Sequence, residues 1–81
     1  MIHARKDYQR IQDPSGLIPD DEPVFLLRGK DICAPAAIEA WCAEAKKAGV
    51  SDVMILHAME HANRMRIYQE LHFKQVPDMP L

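Results

Sequence analysis

Apolar residues recur at helical spacing in two stretches of the second half of the chain. Within each stretch they follow one another mostly at steps of three and four residues, which places them on one face of a helix. The first set is Ile38, Trp41, Cys42 and Ala45, and the second is Ile55, Ala58, Met59, Ala62 and Met65. We expect these two faces to pack against each other and to form most of the core.

The ends of both helices are marked by residues with specific backbone preferences. Pro35 suits the first turn of a helix, where its missing N–H has no partner to lose. Gly49 suits the left-handed position that ends a helix, and Ser51 then serves as the N-cap of the next one. The sequence therefore predicts helices over about 34–48 and 51–71, joined by a tight turn into an antiparallel helical hairpin of the mainly α class.

The N-terminal part of the chain contains turn signals and little periodicity. Residues 1–12 are polar and predict either a flexible arm or a short element. Residues 13–16, with the sequence Asp-Pro-Ser-Gly, have the composition of a β-turn. Two prolines bracket the acidic residues 20–22, and we expect this connection to be extended.

An apolar run at residues 24–27 and a short tail lie outside the predicted hairpin. Periodicity cannot distinguish a buried strand from a single helical turn in Val-Phe-Leu-Leu. We favour an extended segment that packs on the helices, which gives a turn-rich N-terminal segment covering part of the hairpin. Residues 74–81, with two further prolines, predict a C-terminal tail.

The second helix carries a further apolar stripe. Leu56, Ile67 and Leu71 lie on a different flank from the predicted core face, separated from it by roughly 100° or more at 3.6 residues per turn. A helix with two apolar stripes has two surfaces to cover. One is covered in the hairpin, and the other meets either residues 24–27 or another molecule.

Length and composition predict one small domain over residues 1–81. A chain of 9.2 kDa buries only roughly 60% of its unfolded surface, so its stability is marginal and is often increased by a partner or a second copy. No apolar run is long enough to span a membrane, and the first residues lack the apolar core of a secretory signal. These features predict a cytoplasmic protein without a membrane partner.

Two motifs suggest chemistry that the rest of the chain does not support. Residues 57–61 match the metalloprotease pattern H-x-x-E-H, but a catalytic zinc needs a third protein ligand and a substrate cleft. Cys33 and Cys42 are too far apart in sequence and in predicted position for a chelating turn or a disulfide, and we expect both to be reduced, with Cys42 buried. We predict no catalytic residue, no metal and no cofactor.

The turn between the helices resembles a helix-turn-helix signature, which makes a DNA-binding regulator one alternative function. In that motif the start of the second helix reads the major groove. The readout positions would be Ser51, Asp52, Val53, Leu56 and His57. They include no Arg, Lys, Asn or Gln, and the net charge is −2, so nucleic acid is not the partner that the sequence favours.

Residues between Tyr8 and Trp41 carry a family resemblance. The segments Arg10-Ile11-Gln12-Asp13-Pro14 and Ile18-Pro19-Asp20-Asp21-Glu22-Pro23-Val24-Phe25-Leu26-Leu27-Arg28, followed by Asp31, Ala34-Pro35 and Trp41, resemble small proteins encoded by bacteriophages and prophages. The resemblance implies a protein of the bacterial host cytosol that binds and modulates a host protein without doing chemistry. A phage structural or assembly component is the other alternative.

The candidate partner-binding residues follow from the second apolar stripe and the N-terminal arm. An amphipathic helix that lies in a partner's groove uses anchors such as Leu56, Ile67 and Leu71, here flanked by His57 and Arg64. On the arm, Tyr8 and Arg10 are of types favoured at interface hot spots. The expected partner is a bacterial host protein, a second copy of the chain, or both.

Overall fold

The computed structural model describes residues 1–5, 13–72 and 76. Strand β1 (Ile2–His3) and strand β2 (Pro23–Val24) come first, followed by helix α1 (Ala34–Lys47) and helix α2 (Asp52–Leu71). The protein is therefore mainly helical, as the sequence predicts. The first 27 residues and the described residues from 28 onward belong to two compact units, which are described separately below. The single domain remains a prediction, and most of the 1–12 arm and the 74–81 tail lies outside the described residues.

The first unit contains a small parallel sheet. Strands β1 and β2 pair with Ile2 opposite Pro23 and His3 opposite Val24. The backbone N–H of Ile2 donates to the carbonyl oxygen of Glu22 at 2.8 Å. Val24 is thus extended, but the strand ends at this residue and Phe25 is exposed. The expectation that residues 24–27 pack on the helices as an extended segment stays a prediction.

Two turns precede strand β2. The predicted turn at 13–16 is confirmed, because the N–H of Gly16 donates to the carbonyl of Asp13 at 2.9 Å. The Asp13 carboxylate also accepts a bond from the N–H of Ile18 at 2.8 Å. The expectation that the acidic residues are extended is wrong. They form a second turn, in which the N–H of Glu22 donates to the carbonyl of Pro19 at 3.2 Å. Asp20 and Asp21 occupy its central positions, and aspartate is among the residues that favour turns.

Helix α1 begins just after a hydrogen-bonded turn at Asp31 and ends in a Schellman motif. The carboxylate of Asp31 accepts from the N–H of Cys33 at 2.7 Å, and Pro35 occupies the first turn as predicted. At the other end, the N–H of Val50 donates to the carbonyl of Ala45 at 3.0 Å, across Gly49 at φ +85°. The helix ends at Lys47, within one residue of the expected position.

Helix α2 begins at the predicted cap. The hydroxyl oxygen of Ser51 accepts from the N–H of Met54 at 3.3 Å, and Asp52 lies at the positive end of the helix dipole. The helix continues to Leu71, and His72 is already extended. Both bounds agree with the prediction to within one residue.

The two helices pack against each other through small side chains. Cys42 of α1 approaches α2 with its Sγ 3.8 Å from the carbonyl oxygen of Ile55, and Glu39 forms an ion pair with Arg66. This order of contacts is the one expected of helices that run in opposite directions. The residues buried in the helices are Ala34, Pro35, Cys42, Ala45, Ala62, Met65 and Gln69.

Two residues assigned to the core by periodicity are exposed. Trp41 and Met59 were expected in the helix–helix interface, and this prediction is wrong. The buried positions of α1 and α2 are instead mostly alanines and a cysteine, small side chains that permit a close approach between helices. Trp41 and Met59 are therefore not part of the buried core. Burial of Cys42 is confirmed, and Cys33 is exposed.

Candidate protein-binding face

Helix α2 has an inner face that is buried and an outer face that is not. The inner face comprises Ile55, Ala58, Ala62, Met65 and Gln69, all buried or partly buried. At 3.6 residues per turn these positions span a sector of about 80°. The centre of the opposite sector lies about 180° away. Its six positions, which we call the outer face, are Val53, Leu56, Glu60, Arg64, Ile67 and Leu71.

Every apolar residue of the outer face is substantially exposed. The exposed fractions are 68% for Val53, 55% for Leu56, 49% for Ile67 and 75% for Leu71. Removing apolar side chains of this size from water lowers the free energy. A soluble monomer therefore rarely aligns several of them on one exposed surface. The apolar residues form two pairs, one near each end of the helix.

The middle of the outer face is charged. Glu60 and Arg64 are exposed and lie one helical turn apart, between the two apolar pairs. Within the described part of the chain, neither forms an ion pair. Both charges are therefore available to a partner of complementary charge.

The inner face holds the last turns of α2 in place through a polar residue. Gln69 is buried, and its side-chain Nε2 donates to the carbonyl oxygens of Gly29 at 3.0 Å and Asp31 at 2.8 Å. These two bonds fix the end of α2 to the loop that precedes α1. Ile67 and Leu71 therefore lie on the exposed side of a helix end whose inner side is held by these hydrogen bonds.

Five of the seven candidate partner-binding residues lie on the same side of α2. Leu56, Arg64, Ile67 and Leu71 belong to the outer face, and His57 lies at its edge and is exposed. Tyr8 and Arg10 lie outside the described residues. No observation tests whether any of these residues binds a partner, and their role stays a prediction.

No family model, curated protein or solved structure matches this chain. None of the helices in residues 1–5, 13–72 and 76 is long and apolar enough to cross a membrane.

The histidines that match the metalloprotease pattern lie on one helix. His57 and His61 are exposed on α2. In the described part of the chain, no group of three or more His, Cys, Asp or Glu side chains is arranged to hold a metal ion. The structure thus adds no metal-binding cluster to the histidine pair.

Two features of α2 were not predicted from the sequence. Val53 was considered only as a DNA-readout position, although its spacing to Leu56 and Glu60 continues the outer face by one turn. The burial of Gln69 had no signal in the sequence, because a polar residue faces inward only when a distant loop supplies acceptors.

Proposed function

We propose that this protein is a non-catalytic protein-binding module whose outer face on α2 is the binding surface. The observation that carries the proposal is the alignment of Val53, Leu56, Ile67 and Leu71, all exposed and all opposite the buried face of the same helix. When a partner covers these side chains, their transfer from water stabilises the complex. The charged residues at the centre of the face would set orientation and specificity.

The resemblance to phage and prophage proteins supports a bacterial host protein as the target, with the host cytosol as the location. In this proposal the protein acts stoichiometrically, by covering a surface of the host protein and thereby modulating it. A second copy of the chain is the other partner that the outer face suits. The proposal also includes the finer architecture, an antiparallel hairpin with the N-terminal segment packed on it.

The two alternative functions are a DNA-binding regulator and a phage structural or assembly component, and no specific observation favours either. Within the described residues, the start of α2 presents Asp52 and no cation before Arg64, which does not favour contact with DNA phosphates. A phage structural or assembly component would be recognised by the formation of large rings by the isolated protein.

The test is affinity capture from bacterial lysate with three tagged forms of the full chain. These are the wild type, a Leu56→Glu/Leu71→Glu variant of the outer face, and a Met54→Glu/Met59→Glu control. The control introduces the same charges at two exposed apolar positions of α2 outside the outer face; Met54 is 58% exposed, close to the value for Leu56. Circular dichroism verifies that all three forms are helical.

We expect one host protein to be captured in stoichiometric amount by the wild type and the control, and to be lost with the outer-face variant. Capture that is unchanged in the outer-face variant would contradict the proposed site. Loss of helical structure in that variant, with the control intact, would show that Leu56 and Leu71 contribute to the core.

A further inference from the structure

The apolar and charged positions of the outer face are arranged symmetrically about its centre, but an acid on one side of the centre corresponds to a base on the other. From the N-terminal end they are apolar, apolar, acidic, basic, apolar and apolar, at Val53, Leu56, Glu60, Arg64, Ile67 and Leu71. The acid and the base lie at equal distances on either side of the level of Ala62. The outer positions 53 and 71 are also equidistant from that level.

We propose that in the free protein a second copy of the chain covers the outer face, with the two α2 helices antiparallel about a two-fold axis near Ala62. This inference rests on the proposed function and names the occupant of its binding surface. Rotation about the two-fold axis places Val53 opposite Leu71 of the second copy. The same operation brings Leu56 beside Ile67 and Glu60 beside Arg64, each contact occurring twice.

The charges select this orientation. In a parallel pair, Glu60 would face Glu60 and Arg64 would face Arg64 across the contact, and like charges in that position repel. In the antiparallel pair every carboxylate faces a guanidinium, a geometry that favours paired hydrogen bonds. The apolar contacts alone would permit both orientations, so Glu60 and Arg64 decide between them.

The spacing of the outer face suits contact along the whole helix. Its positions repeat after 11 residues, since Val53, Leu56 and Glu60 are followed by Arg64, Ile67 and Leu71. An 11-residue repeat corresponds to about 3.67 residues per turn, close to the 3.6 of a straight helix. Two nearly straight helices can therefore keep this face in contact over roughly 27 Å, from Val53 to Leu71.

The first test is sedimentation equilibrium of the full chain from about 1 µM to about 500 µM, because self-association depends on concentration. We expect a monomer–dimer equilibrium for the wild type. Glu60→Arg and Arg64→Glu should each weaken the dimer about tenfold or more, since each places like charges together twice. Lys46→Glu on α1, which changes the net charge as Arg64→Glu does, should have no comparable effect.

Mixing the two charge variants separates a specific contact from a loss of folding. The Glu60→Arg chain carries two cations on its outer face, and the Arg64→Glu chain carries two anions. We expect the equimolar mixture to recover dimerisation to the wild-type level, as a heterodimer. A monomeric wild type at the highest concentration, a dimer insensitive to both reversals, or a mixture that stays monomeric would overturn the proposal.

The orientation is tested in the wild type by isotope-filtered NMR on a mixture of labelled and unlabelled chains. Val53 and Leu71 are roughly 27 Å apart within one helix, so an NOE between their methyl groups must be intermolecular. We expect that NOE in the antiparallel dimer. Intermolecular NOEs only from Val53 to Val53 and from Leu71 to Leu71 would instead establish a parallel pair and overturn the proposal, even if the charge variants failed to fold.

The two proposals fail in different ways. If the free protein is monomeric but host-protein capture depends on Leu56 and Leu71, the dimer is excluded and the binding function stands. If the dimer forms through the outer face but capture is unchanged by the Leu56→Glu/Leu71→Glu variant, the dimer stands and the proposed host-binding site is excluded.

Discussion

The inner and outer faces of α2 differ in a way that side-chain hydrophobicity alone does not predict. The centre of the inner face is a small residue, Ala62, and it includes one polar residue, Gln69. The outer face carries four larger aliphatic side chains and leaves all of them exposed. Small residues permit a close approach between packed helices, so the buried face of a helix need not carry its largest apolar side chains.

The polar groups on the two faces also differ in their partners. On the inner face, Gln69 donates to two backbone carbonyls of the loop before α1. On the outer face, Glu60 and Arg64 form no ion pair within the described part of the chain. The polar residue of the inner face is thus satisfied within the chain, whereas the outer face has exposed apolar side chains and unpaired charges among the described residues. We expect substitutions on the inner face to affect stability and those on the outer face to affect association.

The largest effect on stability is expected from Met65→Ala. Met65 is buried on the inner face, and its truncation leaves a cavity beneath that face. We expect the free energy of unfolding to fall by about 2–5 kcal/mol. Chemical denaturation monitored by circular dichroism measures this change. The matched control, Met54→Ala, removes the same atoms from an exposed position and should stay within about 0.5 kcal/mol of the wild type. Equal losses in both variants would contradict the assignment of the inner face.

A smaller loss is expected from Gln69→Leu. The leucine keeps an apolar volume in place but removes the amide that donates to Gly29 and Asp31. Leaving these carbonyls without that donor should cost about 1–3 kcal/mol. Asn63→Leu, which changes an exposed amide of the same helix, should have little effect in the same denaturation experiment. If Gln69→Leu is as stable as the wild type, water satisfies both carbonyls and the proposed anchoring is wrong.

These two residues show what the sequence could and could not predict. The helix bounds, the Ser51 cap, the Gly49 stop and the turn at 13–16 follow from local backbone preferences, and all are confirmed. The inward position of Gln69 depends on carbonyls that lie about forty residues away in the chain, and no local pattern encodes it. The pairing of β1 with β2 is equally non-local.

Periodicity predicted the positions of the apolar stripes but did not fully predict which of their residues are buried and which are exposed. A 3.6-residue repeat fixes the angle between two residues on one helix, while the partner helix decides which direction is buried. Trp41 and Met59 were placed inside on this basis and lie outside, whereas Leu56, Ile67 and Leu71 form an exposed stripe. The five candidate residues on α2 were therefore grouped correctly in space. Their function stays a prediction.

A still smaller effect is expected from the ion pair that links the helices. Arg66 and Glu39 are each about half exposed, with side-chain exposures of 49% and 48%, so water and salt screen their attraction. A double-mutant cycle with Arg66→Ala and Glu39→Ala should give a coupling of about 0.2–1 kcal/mol that decreases at high salt. A coupling well above this range would mean that the pair, and not the small-residue contact, determines the helix packing.

The smallest effect on the stability of the monomer is expected from Leu56→Glu/Leu71→Glu. At concentrations low enough to keep the wild type monomeric, the free energy of unfolding should change by no more than about 0.5 kcal/mol, because both side chains already face water. At higher concentrations the two proteins should diverge. Association stabilises only the folded state, so the melting temperature of the wild type should rise with protein concentration while that of the variant stays constant. A variant that is destabilised equally at every concentration would show that the outer face stabilises the single chain, and the distinction between the two faces of α2 would fail.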